Sequence, residues 1–135
     1  MTLVREAMVV DPPSLAVDAT AKEAGELLAD PDVRAVFVCD DQRLVGVVTR
    51  KTLVREVVAP GREPRMTPLG DIAEPPHYTI DAATPADEAF RFLEEHDAER
   101  VPVVEDGKLV GVLSRVVLQR RLAEDEPPTQ DVEPR

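Results

Sequence analysis

The chain repeats itself. Glu23-Ala24 recurs as Glu88-Ala89, sixty-five positions later, and Leu44-Val45-Gly46-Val47 recurs as Leu109-Val110-Gly111-Val112 at the same offset. Arg50, Leu53 and Arg55 likewise meet Arg115, Leu118 and Arg120. Between residues 23 and 58 about fourteen of roughly thirty-six positions are identical, where chance gives about two or three. Upstream the match needs a small gap, with Thr20-Ala21-Lys22-Glu23 facing Thr84-Pro85-Ala86-Asp87-Glu88. One copy of about fifty residues buries too little surface to be stable alone. Two copies packed sheet against sheet remove that difficulty.

Each copy reads in the same order. A short β segment comes first, Leu15-Ala16-Val17 or Tyr78-Thr79-Ile80. A helix follows. Thr20 and Glu23 have the spacing of a capping box, in which each side chain satisfies the other's free backbone N–H. In the second copy Thr84 precedes Pro85, a residue suited to the first helical position, and Asp87 and Glu88 favour the positive helix end. Ala24, Leu27 and Leu28 repeat as Ala89, Phe92 and Leu93, a one-sided apolar stripe. A hairpin then pairs 35–39 with 44–49, and 101–104 with 109–114. Asp106-Gly107 between apolar runs is a strong turn signal. These strands are almost continuously apolar, so both faces should be covered. A second helix follows Thr49 and Ser114. The fold class is therefore α+β, two β-α-β-β-α repeats.

Residues 4–58 form the first repeat and 69–123 the second. The Pro- and Gly-rich residues 59–68 read as a linker. The acidic, Pro-rich residues 124–135 read as a disordered tail. Hydrophobic residues make up 43% of the 135, but aromatics only 3%, so the core must be aliphatic. The net charge of −11 repels nucleic-acid backbones. A single cysteine, Cys39, precludes an internal disulfide and reads as a small core hydrophobe. The amino terminus lacks the zones of a signal peptide, and no apolar run reaches a membrane span. A cytoplasmic protein is expected. No nucleophile–base pair, P-loop or zinc-ligand grouping is visible, so the chain is read as a non-enzyme without metal or cofactor.

Several segments together resemble the cystathionine-β-synthase (CBS) domain. They are Val4-Arg5-Glu6-Ala7-Met8, Arg100-Val101-Pro102-Val103-Val104 and the run from Gly107 to Arg115, with the helix that holds Glu88-Ala89. The similarity covers residues from about 4 to 122. It implies two repeats related by a pseudo-twofold axis, with two clefts between them, and a homodimer of such pairs. The apolar helix faces near Leu27 and Phe92 are the expected dimer contact. It also implies an adenosine-type ligand in the clefts (AMP, ADP, ATP or S-adenosylmethionine) and an unknown partner protein that the module regulates.

The family's nucleotide motif runs Gly, two apolar residues, Ser or Thr, two variable residues, then an Asp that holds the ribose hydroxyls. Here Gly46-Val47-Val48-Thr49-Arg50-Lys51 ends on Thr52, and Gly111-Val112-Leu113-Ser114-Arg115-Val116 ends on Val117. The Asp is absent from both. The expected ligand residues are Thr49, Arg50, Thr52, Arg100, Pro102, Ser114 and Arg115, with the Thr49–Thr52 cleft favoured because Val117 has no hydroxyl. Restoring a carboxylate at position 52 is expected to tighten binding. Thr49 and Ser114 are equally suited to be plain helix caps. Gly46 and Gly111 are equally suited to close packing. The alternative function is therefore a ligand-free module for dimerisation or partner docking.

Overall fold

The computed structural model describes residues 1–125. Its elements are α1 (Val4–Ala7), β1 (Ser14–Ala16), α2 (Ala21–Leu28), β2 (Val36–Asp40), β3 (Arg43–Val48) and α3 (Arg50–Leu53), which widens into a π-helical turn, Val54–Val58. The second half has β4 (Ile80–Asp81), α4 (Ala86–Glu95), β5 (Arg100–Glu105), β6 (Lys108–Ser114) and α5 (Arg115–Asp125). Short 3₁₀ turns at Pro64–Met66 and Leu69–Asp71 join the halves. The strand order is β1-β2-β3-β6-β5-β4, with mirror order in the two halves. Arg43 pairs with Lys108 where they meet.

The local expectations explain most of these elements. Thr20 and Glu23 form the reciprocal capping box at α2. Both hairpins turn through two residues of positive φ: Asp41 and Gln42 in one, Asp106 and Gly107 in the other. This backbone twist matches the twist of the flanking strands. Pro85 departs from expectation. It is the N-cap of α4 and not its first helical residue, and no side chain caps that helix. A tertiary contact takes over: the Ala86 amide donates to the Thr2 carbonyl at 2.8 Å.

That contact belongs to a reciprocal exchange. The equivalent amide in the first half, Ala21, donates to Thr67 at 2.9 Å. Val4 donates to Thr84, and Leu69, its repeat partner, donates to Ala19, each at 2.8 Å. The segment leading into each repeat thus packs on the other repeat. Val4 and Ala7 are buried with Ile80, Leu93, Leu113 and Leu118. Leu69 and Ile72 are buried with Leu28, Val36, Val38 and Val48. Each half therefore completes its aliphatic core with the other's leading segment, which ties the halves into one folding unit.

The residues read as a linker include the start of this docking segment, for Thr67 is only 1% exposed. Of the acidic tail, Glu124 and Asp125 belong to α5, and 126–135 lie outside the described residues. Cys39 lies half-buried on β2, and burial pushes its thiol pKa up. Among the described residues no helix is long and apolar enough to cross a membrane.

Candidate functional site

A cleft of about 920 Å³ opens between the halves. Thr49 and Thr52 reach it from the start of α3, and Arg100 and Pro102 from β5. Phe37, the repeat partner of Pro102, also lines it but is 94% buried within β2, so it narrows the cleft without filling it. Four of the seven expected ligand residues therefore share one wall system. Ser114, Arg50 and Arg115 are not part of it.

The local chemistry explains where those three go. The Arg50 guanidinium donates to the carbonyls of Leu28 and Asp30, fastening α3 to the end of α2. Its repeat partner Arg115 donates to the Glu99 carboxylate at 2.6 Å and lies 3.6 Å from Asp97. Both arginines thus tie the second helix of a repeat to the end of the first. Ser114 accepts a long hydrogen bond, 3.4 Å, from the Val117 amide and caps α5.

Thr49 and Thr52 form a tighter version of this cap. Thr49 Oγ1 accepts from the Thr52 amide at 3.3 Å, and Thr52 Oγ1 accepts from the Thr49 amide at 3.0 Å. Thr52 is fully buried. Its hydroxyl proton goes to Glu74 Oε2 at 2.8 Å. Arg55 donates to the same carboxylate oxygen. The Thr52 hydrogen bond and the Arg55 charge hold the Glu74 carboxyl below the usual carboxylate pKa, outweighing its partial desolvation. Arg55 in turn is held protonated by Glu56 and Glu74.

Glu74 is pinned through its backbone as well. Its amide donates to Val47 at 2.9 Å, and it accepts from the Val47 amide at 2.8 Å. Such close approach needs a neighbour without a side chain. A Cβ on Gly46 would lie 2.8 Å from the Glu74 carbonyl oxygen and 2.9 Å from the Ala73 Cβ. In the other half Val9 takes the same place against Val112, and a Cβ on Gly111 would lie 2.8 Å from the Val9 carbonyl oxygen. The close-packing role of both glycines is thereby accounted for.

Charge distinguishes this cleft. Arg34, Lys51 and Arg100 line it, and none has an ion pair or side-chain hydrogen bond among the described residues. Asp32, Glu74 and Asp97 line it too, so the three unpaired cations share the cavity with carboxylates. Sequence reasoning named Arg100, carried Lys51 only as a variable position of the motif, and missed Arg34, Arg55 and Glu74, since nothing in their local spacing marks them.

The chain has two histidines, His77 and His96. They meet around Tyr78, whose ring centroid lies 4.7 Å from His96, 6.3 Å from His77 and 5.3 Å from Phe92. His77, Tyr78 and His96 form one rim of the cleft. Among the described residues no three His, Cys, Asp or Glu side chains are grouped to hold a metal ion.

A duplicated α+β chain with a cleft lined by charged side chains between interlocked halves has the build of a ligand-binding module. Its family is clear. The chain belongs to the CBS domain family, whose sequence pattern matches residues 4–59 and again 69–124. Proteins with such a pair are regulatory ligand-binding modules and typically non-catalytic. The chain is 30% identical to hypoxic response protein 1 of Mycobacterium tuberculosis over 125 residues, 92% of this chain and 87% of that protein. It is 23% identical to the CBS domain-containing protein YhcV of Bacillus subtilis, over 84% of this chain and 81% of the relative. Among solved structures, hypoxic response protein I with two coordinated zinc ions superposes with a TM-score of 0.75 at 29% identity, covering 90% of this chain and 99% of that one. CBSX2 in complex with AMP gives 0.73 at 26% identity, covering 92% and 98%.

Proposed function

We propose that this protein is a cytoplasmic regulatory module that binds an adenosine-type ligand in the Thr49–Thr52 cleft and signals its occupancy to a partner protein. The observation that carries the reading is the set of unpaired cations, Arg34, Lys51 and Arg100, around one cavity of about 920 Å³. Unpaired cations in a confined, partly apolar space favour a ligand with concentrated negative charge. The rings of Tyr78 and His96, with centroids 4.7 Å apart, give its rim an aromatic surface on which a base can stack. AMP in the related CBSX2 structure supports the same ligand class.

Arg50 and Arg115 serve the fold in this reading, and Ser114 serves α5 as a cap. Ligand contacts fall to Thr49, Arg100 and Pro102, joined by Arg34 and Lys51, while the fully buried Thr52 acts from behind the wall through its hydrogen bond to Glu74. The pair works as a homodimer through apolar helix surface, for Val54, Val58 and Val116 are each more than half exposed. Leu27 is 36% exposed and can join such a contact, whereas Phe92 is already half-buried in the ring cluster. Sedimentation at high micromolar concentration should give the mass of a dimer; a monomer removes this part.

The ligand is tested by thermal shift against AMP, ADP, ATP and S-adenosylmethionine. A ligand at about 100 times its dissociation constant should stabilise the fold by about 2.7 kcal/mol. Flat melting curves with every ligand at millimolar concentration would leave the ligand-free docking module as the better reading.

A further inference from the structure

Glu74 and Thr52 differ from their repeat partners together. The sixty-five-residue offset relates Thr52 to Val117 and Glu74 to Val9. The structure makes these equivalences physical: Glu74 bridges Val47 as Val9 bridges Val112. One half thus carries a hydroxyl touching a carboxylate, and the other carries two valines. A bond whose only task was to hold the leading segment in place would be needed in both halves. Val9 is held there without it, by backbone hydrogen bonds of 2.9 Å in each direction. The Thr52–Glu74 pair is therefore surplus to the shared architecture.

The carboxylate is built to accept from something else. Thr52 and Arg55 both bind Oε2, which fixes the plane of the group. Oε1 has no partner among the described residues. The side chain is 43% exposed and lines the same cleft as Lys51 and Arg100. A fixed, ionised carboxylate is an acceptor only, able to take two hydrogen bonds from adjacent hydroxyls. An anionic ligand would be repelled by it unless that ligand also brings donors.

We infer that Glu74, held by Thr52 and Arg55, is the residue that recognises the vicinal hydroxyls of a ribose in this cleft. The carboxylate missing from position 52 comes from the leading segment of the other repeat, and the valine-lined half lacks this recognition. The cations then take the phosphate and Glu74 takes the sugar, which favours ribonucleotides over deoxyribonucleotides. This inference rests on the nucleotide reading of the cleft.

Calorimetric titration of the full chain with AMP, 2′-deoxy-AMP and 3′-deoxy-AMP tests it. The wild type should bind AMP roughly tenfold or more tightly than either deoxynucleotide, the effect of one lost hydrogen bond to a charged group. Glu74→Gln should lose most of that preference. The double variant Thr52→Asp/Glu74→Gln returns a carboxylate beside the same position and should restore it, which separates recognition from a folding defect. If the wild type prefers AMP and Glu74→Gln keeps the preference, the role of Glu74 is overturned while the cleft reading stands. If the wild type binds AMP but does not distinguish the three, Glu74 is likewise overturned. If it binds none of them, nor ATP or S-adenosylmethionine, the nucleotide reading itself is lost and this inference with it.

Discussion

Gly46 lies directly beneath the Glu74 carbonyl, so that a side chain at 46 would begin 2.8 Å from that oxygen. The contact seats the leading segment of one repeat on the sheet of the other. Gly46→Ala should therefore force the two backbones apart, at a cost of about 1–3 kcal/mol for an overpacked site. Gly111→Ala should do the same through Val9. Urea denaturation of both variants checks this, and unchanged midpoints would mean that the segments are free to shift.

Thr52 is buried with three hydrogen-bonding partners, so removing its hydroxyl leaves polar groups unsatisfied. Thr52→Val keeps the volume but orphans the Thr49 amide and loosens Glu74. A loss of about 1–3 kcal/mol is expected from thermal or chemical unfolding. Thr52→Ser, which retains the hydroxyl, should lose much less.

The contact also reverses a sequence-based expectation. From the motif alone, Thr52→Asp supplies a missing carboxylate and should tighten nucleotide binding. In the structure it places a second carboxylate beside Glu74, whose Oε2 lies 2.8 Å from the present hydroxyl. Two close carboxylates cannot both ionise without penalty. The single variant should melt lower than wild type, with one of the two carboxyl pKa values raised. Adding Glu74→Gln should recover the melting temperature.

Acid should release the Glu74 clasp. Its carboxyl pKa is lowered in the folded chain, first by Thr52 and then by Arg55, so ionised Glu74 favours folding. That contribution is fully present above the unfolded pKa of about 4.3 and is lost as pH falls through the lower folded value. Wild type and Glu74→Gln should differ in stability at pH 7 and converge at strongly acid pH. The difference should be small, because the group is part-exposed and screened by solvent.

Three cations should separate structure from binding. Arg50→Ala loses the carbonyls of Leu28 and Asp30, and should lower the melting point with little change in affinity for any ligand that the cleft binds. Lys51→Ala and Arg100→Ala break no ion pair or side-chain hydrogen bond among the described residues, and should leave the melting point nearly alone while weakening ATP binding. Melting curves with and without ATP distinguish the two patterns.

The sequence by itself determined everything that depends on near neighbours along the chain. The duplication, both hairpins, the Thr20–Glu23 box and the aliphatic core follow from spacing and residue type, because turns, caps and apolar faces are set within a few residues. It also named Thr49, Thr52, Arg100 and Pro102, which the fold brings to one cleft. Only the tertiary structure decided which segment completes which core. Leu69 and Val4 are apolar in either assignment, and no local rule says that each is buried in the opposite repeat. The same holds for Glu74 and Thr52, twenty-two positions apart, and for Arg50, whose guanidinium turns to the end of α2 and away from the cleft. A long side chain's direction is chosen by whichever unpaired carbonyl or carboxylate packing brings within reach, and that choice is made across the chain, where periodicity carries no information.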